Sequence, residues 1–155
     1  MRLTSETKSI VLDRHQIANL IPHSGDMNLL DQVILYDDES IQCRANSHRS
    51  PSNPLRENGK LSSSCGIEYA AQAMAIHGAL LSLAHSSQPR GGRLAGVRSA
   101  EFYVDRLDEF SEDLQIQARK LLADNSSMVY EFSIFTSAKI LLQGRATVIL
   151  MPSIS

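Results

Sequence analysis

The stretch from Cys65 to Leu83, CGIEYAAQAMAIHGALLSL, constrains this chain more than any other. It has no proline and is rich in Ala, Leu and Met, which predicts a helix. Before Ser82 its only clearly polar side chains are Glu68, Gln72 and His77. A helix this apolar is buried on most faces rather than laid on a surface. Glu68 falls in its first turn, with Gln72 one turn further along the same face. A carboxylate on the wall of such a helix is costly unless it is paired or used.

The flanking sequence supplies the rest of the architecture. Asp13 caps a short helix, RHQIANLI, that Pro22 terminates. Ser24-Gly25-Asp26 is turn chemistry, and LLDQVILY reads as a strand. Asp37-Asp38-Glu39 turns the chain into SIQCRANS, giving a hairpin. A loop over residues 48–62 leads to Ser62-Ser63-Ser64, candidate caps for the long helix. After a second loop, SSQPRGG, come RLAGVRSAEFYVD, DLQIQARKLLA, MVYEFSIFTS and KILLQGRATVILM, all with strand character. The expected class is α+β: a hairpin, one buried helix, then a four-stranded antiparallel meander, with the sheet curled around the helix. The exposed edge of such a sheet is a place for a second chain.

Length and charge narrow the function classes. The 155 residues suit one domain spanning 1–155. A formal net charge of -2 and the absence of Trp argue against nucleic acid and acidic membrane as partners. Cys43 and Cys65 form no metal-like cluster, and a disulfide between them is not expected, so a reduced compartment is. The N-terminus MRLTSETKSI has no signal-peptide pattern, and the polar residues of the long helix argue against a membrane span. A cytoplasmic, soluble protein is the expectation.

Several residues could carry chemistry, and each has a plainer reading. Glu68 is a general acid/base candidate or a first-turn Glu favoured by the helix dipole. His23 could move a proton near neutral pH, or it is a loop histidine bonded to backbone. His48, at the start of the loop before the helix, is its rival. His77 lies two and a half turns from Glu68 and reads as a packing residue, while His15 and His85 sit at helix ends. Backbone N–H groups around Ser63 to Cys65 could polarise a carbonyl oxygen or form an ordinary serine cap. Cys65 is a weak nucleophile candidate against a packing role. Gly96 marks a bulge, a ligand approach or a bend in a strand. Gly91-Gly92 lacks the rest of a phosphate loop.

Together these segments resemble the bacterial 3-hydroxyacyl-[acyl-carrier-protein] dehydratases. IPHSGDMNLLDQV resembles their opening, with Pro22-His23 followed by a Leu-rich run and Asp31. IEYAAQAMA resembles their central-helix motif, an acid followed one turn later by Gln, here Glu68 and Gln72. LAGVRSAEF resembles the strand whose Ala-Gly backbone lines the acyl tunnel, here Ala95 and Gly96. Common members carry a catalytic His in a Gly-His-Phe-Pro-Gly loop before the helix. Here that region reads SHRSPSNPLRENGKLS, with Asn53-Pro54 the nearest stand-in. The match is closer to the divergent dehydratases of aryl polyene and related pigment clusters.

The resemblance implies the hotdog fold, a curved antiparallel sheet wrapped around one long helix. It implies dehydration of a 3-hydroxyacyl thioester on acyl carrier protein to the trans-2-enoyl thioester, with no metal or cofactor. Glu68 would be catalytic, and His23 is taken as its partner, although the equivalent Pro-His of the common members is not their catalytic one; Asn53, Ser64, Cys65, Gln72, Ala95 and Gly96 would meet substrate. The sites would lie at the interface of a homodimer or a hotdog heterodimer. Two rivals accompany this reading: a non-catalytic or partner-dependent subunit of a dehydratase heterodimer, and an acyl thioesterase.

Overall fold

A computed structural model describes residues 12–21, 25–85, 91–137 and 139–151. The long helix, α2, runs Gly66–Ala84, after a short helix α1 over Arg14–Ala18. Both are started by local chemistry. Asp13 accepts from the Gln16 N–H at 2.9 Å while Gln16 Oε1 accepts from the Asp13 N–H at 3.0 Å, a reciprocal cap. A 3-10 turn over Ser63–Cys65, capped by Ser62, feeds directly into α2. Tyr69, Ala70, Ala73, Met74, Ile76 and Leu80 of α2 are buried, as an almost uniformly apolar helix requires.

Six strands form one antiparallel sheet: β1 (Gln32–Tyr36), β2 (Ser40–Ala45), β3 (Gly92–Phe102), β4 (Leu114–Ala123), β5 (Ser127–Phe135) and β6 (Ile140–Leu150), in the order β1-β2-β4-β5-β6-β3. The hairpin β1–β2 and the run β4–β5–β6 follow the sequence reading. The four-stranded meander does not. β3 bypasses β4 and pairs with β6 at the far margin, while β2 takes β4 as its neighbour. Strand character in a sequence says nothing about which strand lies alongside which. Leu29 and Leu30 also fall outside the first strand; both are fully buried in an irregular segment before Gln32.

The helix covers only part of the sheet. It packs on β2, β4 and β5, where Ile41, Cys43, Leu114, Ile116, Ala118, Tyr130 and Ile134 point inward. Each large apolar side chain buried there contributes about 1.5–3 kcal/mol. Close approach is possible because residue 66 is glycine: a Cβ there would come within 2.7 and 2.9 Å of the Leu142 methyls. β3 remains at the uncovered margin, and its inward Leu94 and Val97 are only half-buried. It has two register shifts, at Leu94/Gly96 and Arg98/Glu101, and Ser99 between the latter pair takes a φ of 55°. There the strand crosses close over Gly144, whose missing Cβ would lie 3.2 Å from the Ala100 Cα.

Candidate active site

The arrangement of α2 over part of the sheet leaves a groove between the helix and the bare margin. Its walls are Glu68, Ala71, Gln72 and Ala75 from α2, Gly92 and Leu94 from β3, and Val148 from β6, around a cavity of about 200 Å³. The helical contributors recur at the three- and four-residue spacing of one helix face. Glu68 is half-buried at one end of a slot that is otherwise mostly methyl groups and glycine backbone. Ala71 and Ala75 follow from the spacing of Glu68 along the helix. Gly92, Leu94 and Val148 enter only through the β3–β6 pairing, which no local pattern announces.

Gln72 lies in the same groove but is 1% exposed, and its amide is engaged at both ends. Its Oε1 accepts from the Leu29 N–H at 3.0 Å, and its Nε2 donates to the Met27 carbonyl at 2.7 Å. Ala95 and Gly96 sit one and two residues past Leu94 on the open strand, exposed and outside the groove wall; a Cβ on Gly96 would meet nothing within 4 Å. Asn53 lines a different, polar recess with Arg14, Asp31, Asn46, Ser47 and Ser50. Its Nδ2 donates to the Ser47 carbonyl at 2.9 Å and to Tyr69 Oη at 3.0 Å, and its Oδ1 accepts from the Leu55 N–H at 2.9 Å.

The start of α2 is closed rather than open. The Ser63 N–H donates to the Asp105 carbonyl at 2.9 Å, the Cys65 N–H to the Ser62 carbonyl at 3.0 Å, and the Ser64 N–H to Ser62 Oγ at 3.3 Å. Of the two readings of the Ser63 to Cys65 donors the serine cap holds: Ser62, the 3-10 turn and the Asp105 carbonyl consume them. Ser64 is exposed, with its hydroxyl on Ser62 Oγ at 3.0 Å. Both cysteines are free thiols. Burial pushes the Cys65 thiol up, the wrong direction for a nucleophile, and drives fully buried Cys43 to about 12.

The histidines separate cleanly. His77 is fully buried, with Nδ1 2.7 Å from Tyr130 Oη and Nε2 2.8 Å from the Asp37 carbonyl. Nε2–H donates to the carbonyl and the phenol donates to Nδ1, so the ring is a neutral packing residue. His48 is also fully buried, its Nε2 3.0 Å from the Phe110 carbonyl and its Nδ1 without a hydrogen-bond partner among the described residues. Burial lowers the proton affinity of both rings. The long loop holding His48 is tied down by Arg56, which donates to the carbonyls of His48, Ser50 and Gly59. His15 and His85 are exposed, and His23 lies outside the described residues. Among the described residues no imidazole lines the groove.

Residues 15–154 match the ApeP-like family, the ApeP dehydratases. The chain belongs to that dehydratase family. Among solved structures, this ApeP-like chain resembles the dehydratase heterocomplex ApeI:P from Xenorhabdus doucetiae, with 25% identity over 88% of this chain and 91% of that one, at a TM-score of 0.78. A putative thioesterase from Silicibacter (18% identity, 93% and 95% covered, TM-score 0.62) and a thioesterase from Pseudomonas aeruginosa (16% identity, 92% and 96% covered, TM-score 0.62) share its fold. The architecture is the hotdog expected from the central helix and its flanking motifs. No curated protein sequence matches the chain. Among the described residues no helix is long and apolar enough to cross a membrane.

Proposed function

We propose that this chain binds a 3-hydroxyacyl thioester of an acyl carrier protein along the α2–β3 groove and takes part in its dehydration to the trans-2-enoyl thioester. The observation that carries this reading is Glu68, a half-buried carboxyl at the end of an apolar slot open at the sheet margin. In the reaction a base removes the proton on C2, the C2=C3 bond forms, and the C3–O bond breaks. Glu68 delivers the proton that lets the 3-hydroxyl leave as water, a role that general acids fulfil for about 10²–10⁴ in rate. The thioester carbonyl acidifies the C2 proton, so the chemistry asks for an acid, a base and a dry slot.

His23 is the proposed base within this chain. It precedes by four residues Met27, whose carbonyl is held by Gln72 beside Glu68. A second reading is favoured by the open margin of the groove and by the engagement of His48 and His77 elsewhere: a second hotdog chain, docked along β3, closes the groove and contributes the base. Aryl polyene-type biosynthesis is the setting proposed for either reading.

Assaying the chain alone and with a second hotdog dehydratase subunit separates them. Enoyl product from the chain alone, lost in His23→Ala and in Glu68→Gln, supports the first. Product only in the mixture, lost in Glu68→Gln but kept in His23→Ala, supports the second. Free thiol released without enoyl product under both conditions would overturn dehydration in favour of hydrolysis.

A further inference from the structure

The segment from Met27 to Leu30 belongs to no strand, so its backbone hydrogen bonds must be found elsewhere. The Asn28 N–H goes to the Gly25 carbonyl at 3.1 Å, and side chains take the Leu29 N–H and the Met27 and Leu29 carbonyls. Gln72 takes the Leu29 N–H at 3.0 Å and gives a donor to the Met27 carbonyl at 2.7 Å. Ser47 Oγ donates to the Leu29 carbonyl at 2.7 Å and meets Tyr69 Oη at 2.8 Å. Tyr69 in turn accepts from Asn53 Nδ2. Leu29 is thus held by its N–H from Gln72 and by its carbonyl through Ser47 from Tyr69, and these two α2 side chains lie four and one residues after Glu68.

From this geometry we infer that Gln72 is a positioning residue that clamps the 27–29 segment to the groove's acidic end, rather than a contact to substrate. An amide offers one acceptor oxygen and two N–H donors. In Gln72 the oxygen and one donor are committed to backbone, and the side chain is 1% exposed. Gln72 and Glu68 line the same groove one helical turn apart, so the clamp fixes the 27–29 segment against the helix face that carries Glu68. The inference rests on the dehydration reading only for its kinetic consequence; the clamp itself is a statement about the Leu29 amide.

The test uses Gln72→Met, which keeps the length and removes both bonds, and Gln72→Glu. A protonated Glu carries one O–H donor and one carbonyl acceptor and reproduces both bonds; ionised, it can only accept. Exchange of the Leu29 amide is followed residue by residue, beside Ile116 and Ile134 as global controls. In Gln72→Met the Leu29 amide should exchange at least ~10-fold faster with the controls unchanged, a local opening rather than loss of the fold. Dehydration should lose ~10–100-fold in kcat with KM within ~3-fold, as misplacement of a reacting group does. Gln72→Glu should recover both protection and rate toward low pH. Unchanged Leu29 exchange in Gln72→Met, or a raised KM with unchanged kcat, would overturn the clamp. If the wild-type chain and its mixtures dehydrate nothing, the functional reading fails while the Leu29 result still decides the clamp.

Discussion

β4 and β3 are strands of 10 and 11 residues in one sheet, yet they meet opposite surroundings. β4 sends Leu114, Ile116 and Ala118 into full burial beneath α2. β3 lies two strands beyond the helix, where its inward residues Leu94 and Val97 are half-covered and Gly92 forms the groove wall. The sheet therefore has a packed half beneath the helix and an open half at the margin. Under the helix, polar groups are silenced: His77 is neutral and tied to Tyr130 and Asp37. At the bare margin, the one carboxyl on the helix's groove-facing side sits beside an open apolar slot.

Substitutions on the two halves should separate accordingly. Ile116→Ala, beneath the helix, should cost about 2–5 kcal/mol in chemical denaturation, the range for large core truncations. Val97→Ala at the margin should cost well under half of that; equal costs would mean that the margin is packed like the core. Tyr130→Phe leaves the buried His77 Nδ1 without its donor and should cost about 1–3 kcal/mol, with no effect on any activity at the groove. Acidification should also load the covered half. Burial lowers the proton affinity of His48 and His77 in the folded state, so below about pH 6.5 the unfolded chain takes up protons there first. Stability should fall as the pH drops through that value, and His77→Gln should flatten the slope in urea titrations. A further loss is expected below about pH 4, where the unfolded chain begins to protonate Asp108 while the folded carboxyl, held well below the usual range by Arg106, stays ionised and paired. The smallest effect is at Gly96. A side chain there meets nothing, so Gly96→Phe should leave the melting of the isolated chain unchanged while weakening any association along β3, read by sedimentation.

Much of this was legible in the sequence. The near-continuous apolar pattern of residues 65–83 announces α2 to within a residue of each end, because no surface helix can carry it. Asp13 and the Asp37-Asp38-Glu39 turn place α1 and the first hairpin through chemistry that is purely local. The position of β3 is not local: β3 and β6 are joined by pairing across some forty intervening residues, and neither strand names its neighbour. The groove walls at Gly92, Leu94 and Val148 were hidden for that reason. The fate of the helix-start N–H groups was hidden too, since Asp105, which takes the Ser63 donor, lies far along the chain. Glu68 and Gln72 were readable as a pair one turn apart, but the partners of Gln72, at Met27 and Leu29, were not.

Where an acyl chain lies on the sheet decides between the groove and any other site. Methyl shifts should be followed while the chain, with any subunit it requires, is titrated with a non-reactive 3-hydroxyacyl thioester analogue. Binding in the groove predicts saturable shifts at Ala71, Ala75, Leu94 and Val148, with Ile116 and Ala118 beneath the helix unmoved. Saturable shifts that leave Ala71, Ala75, Leu94 and Val148 in place and appear elsewhere on the chain would contradict it.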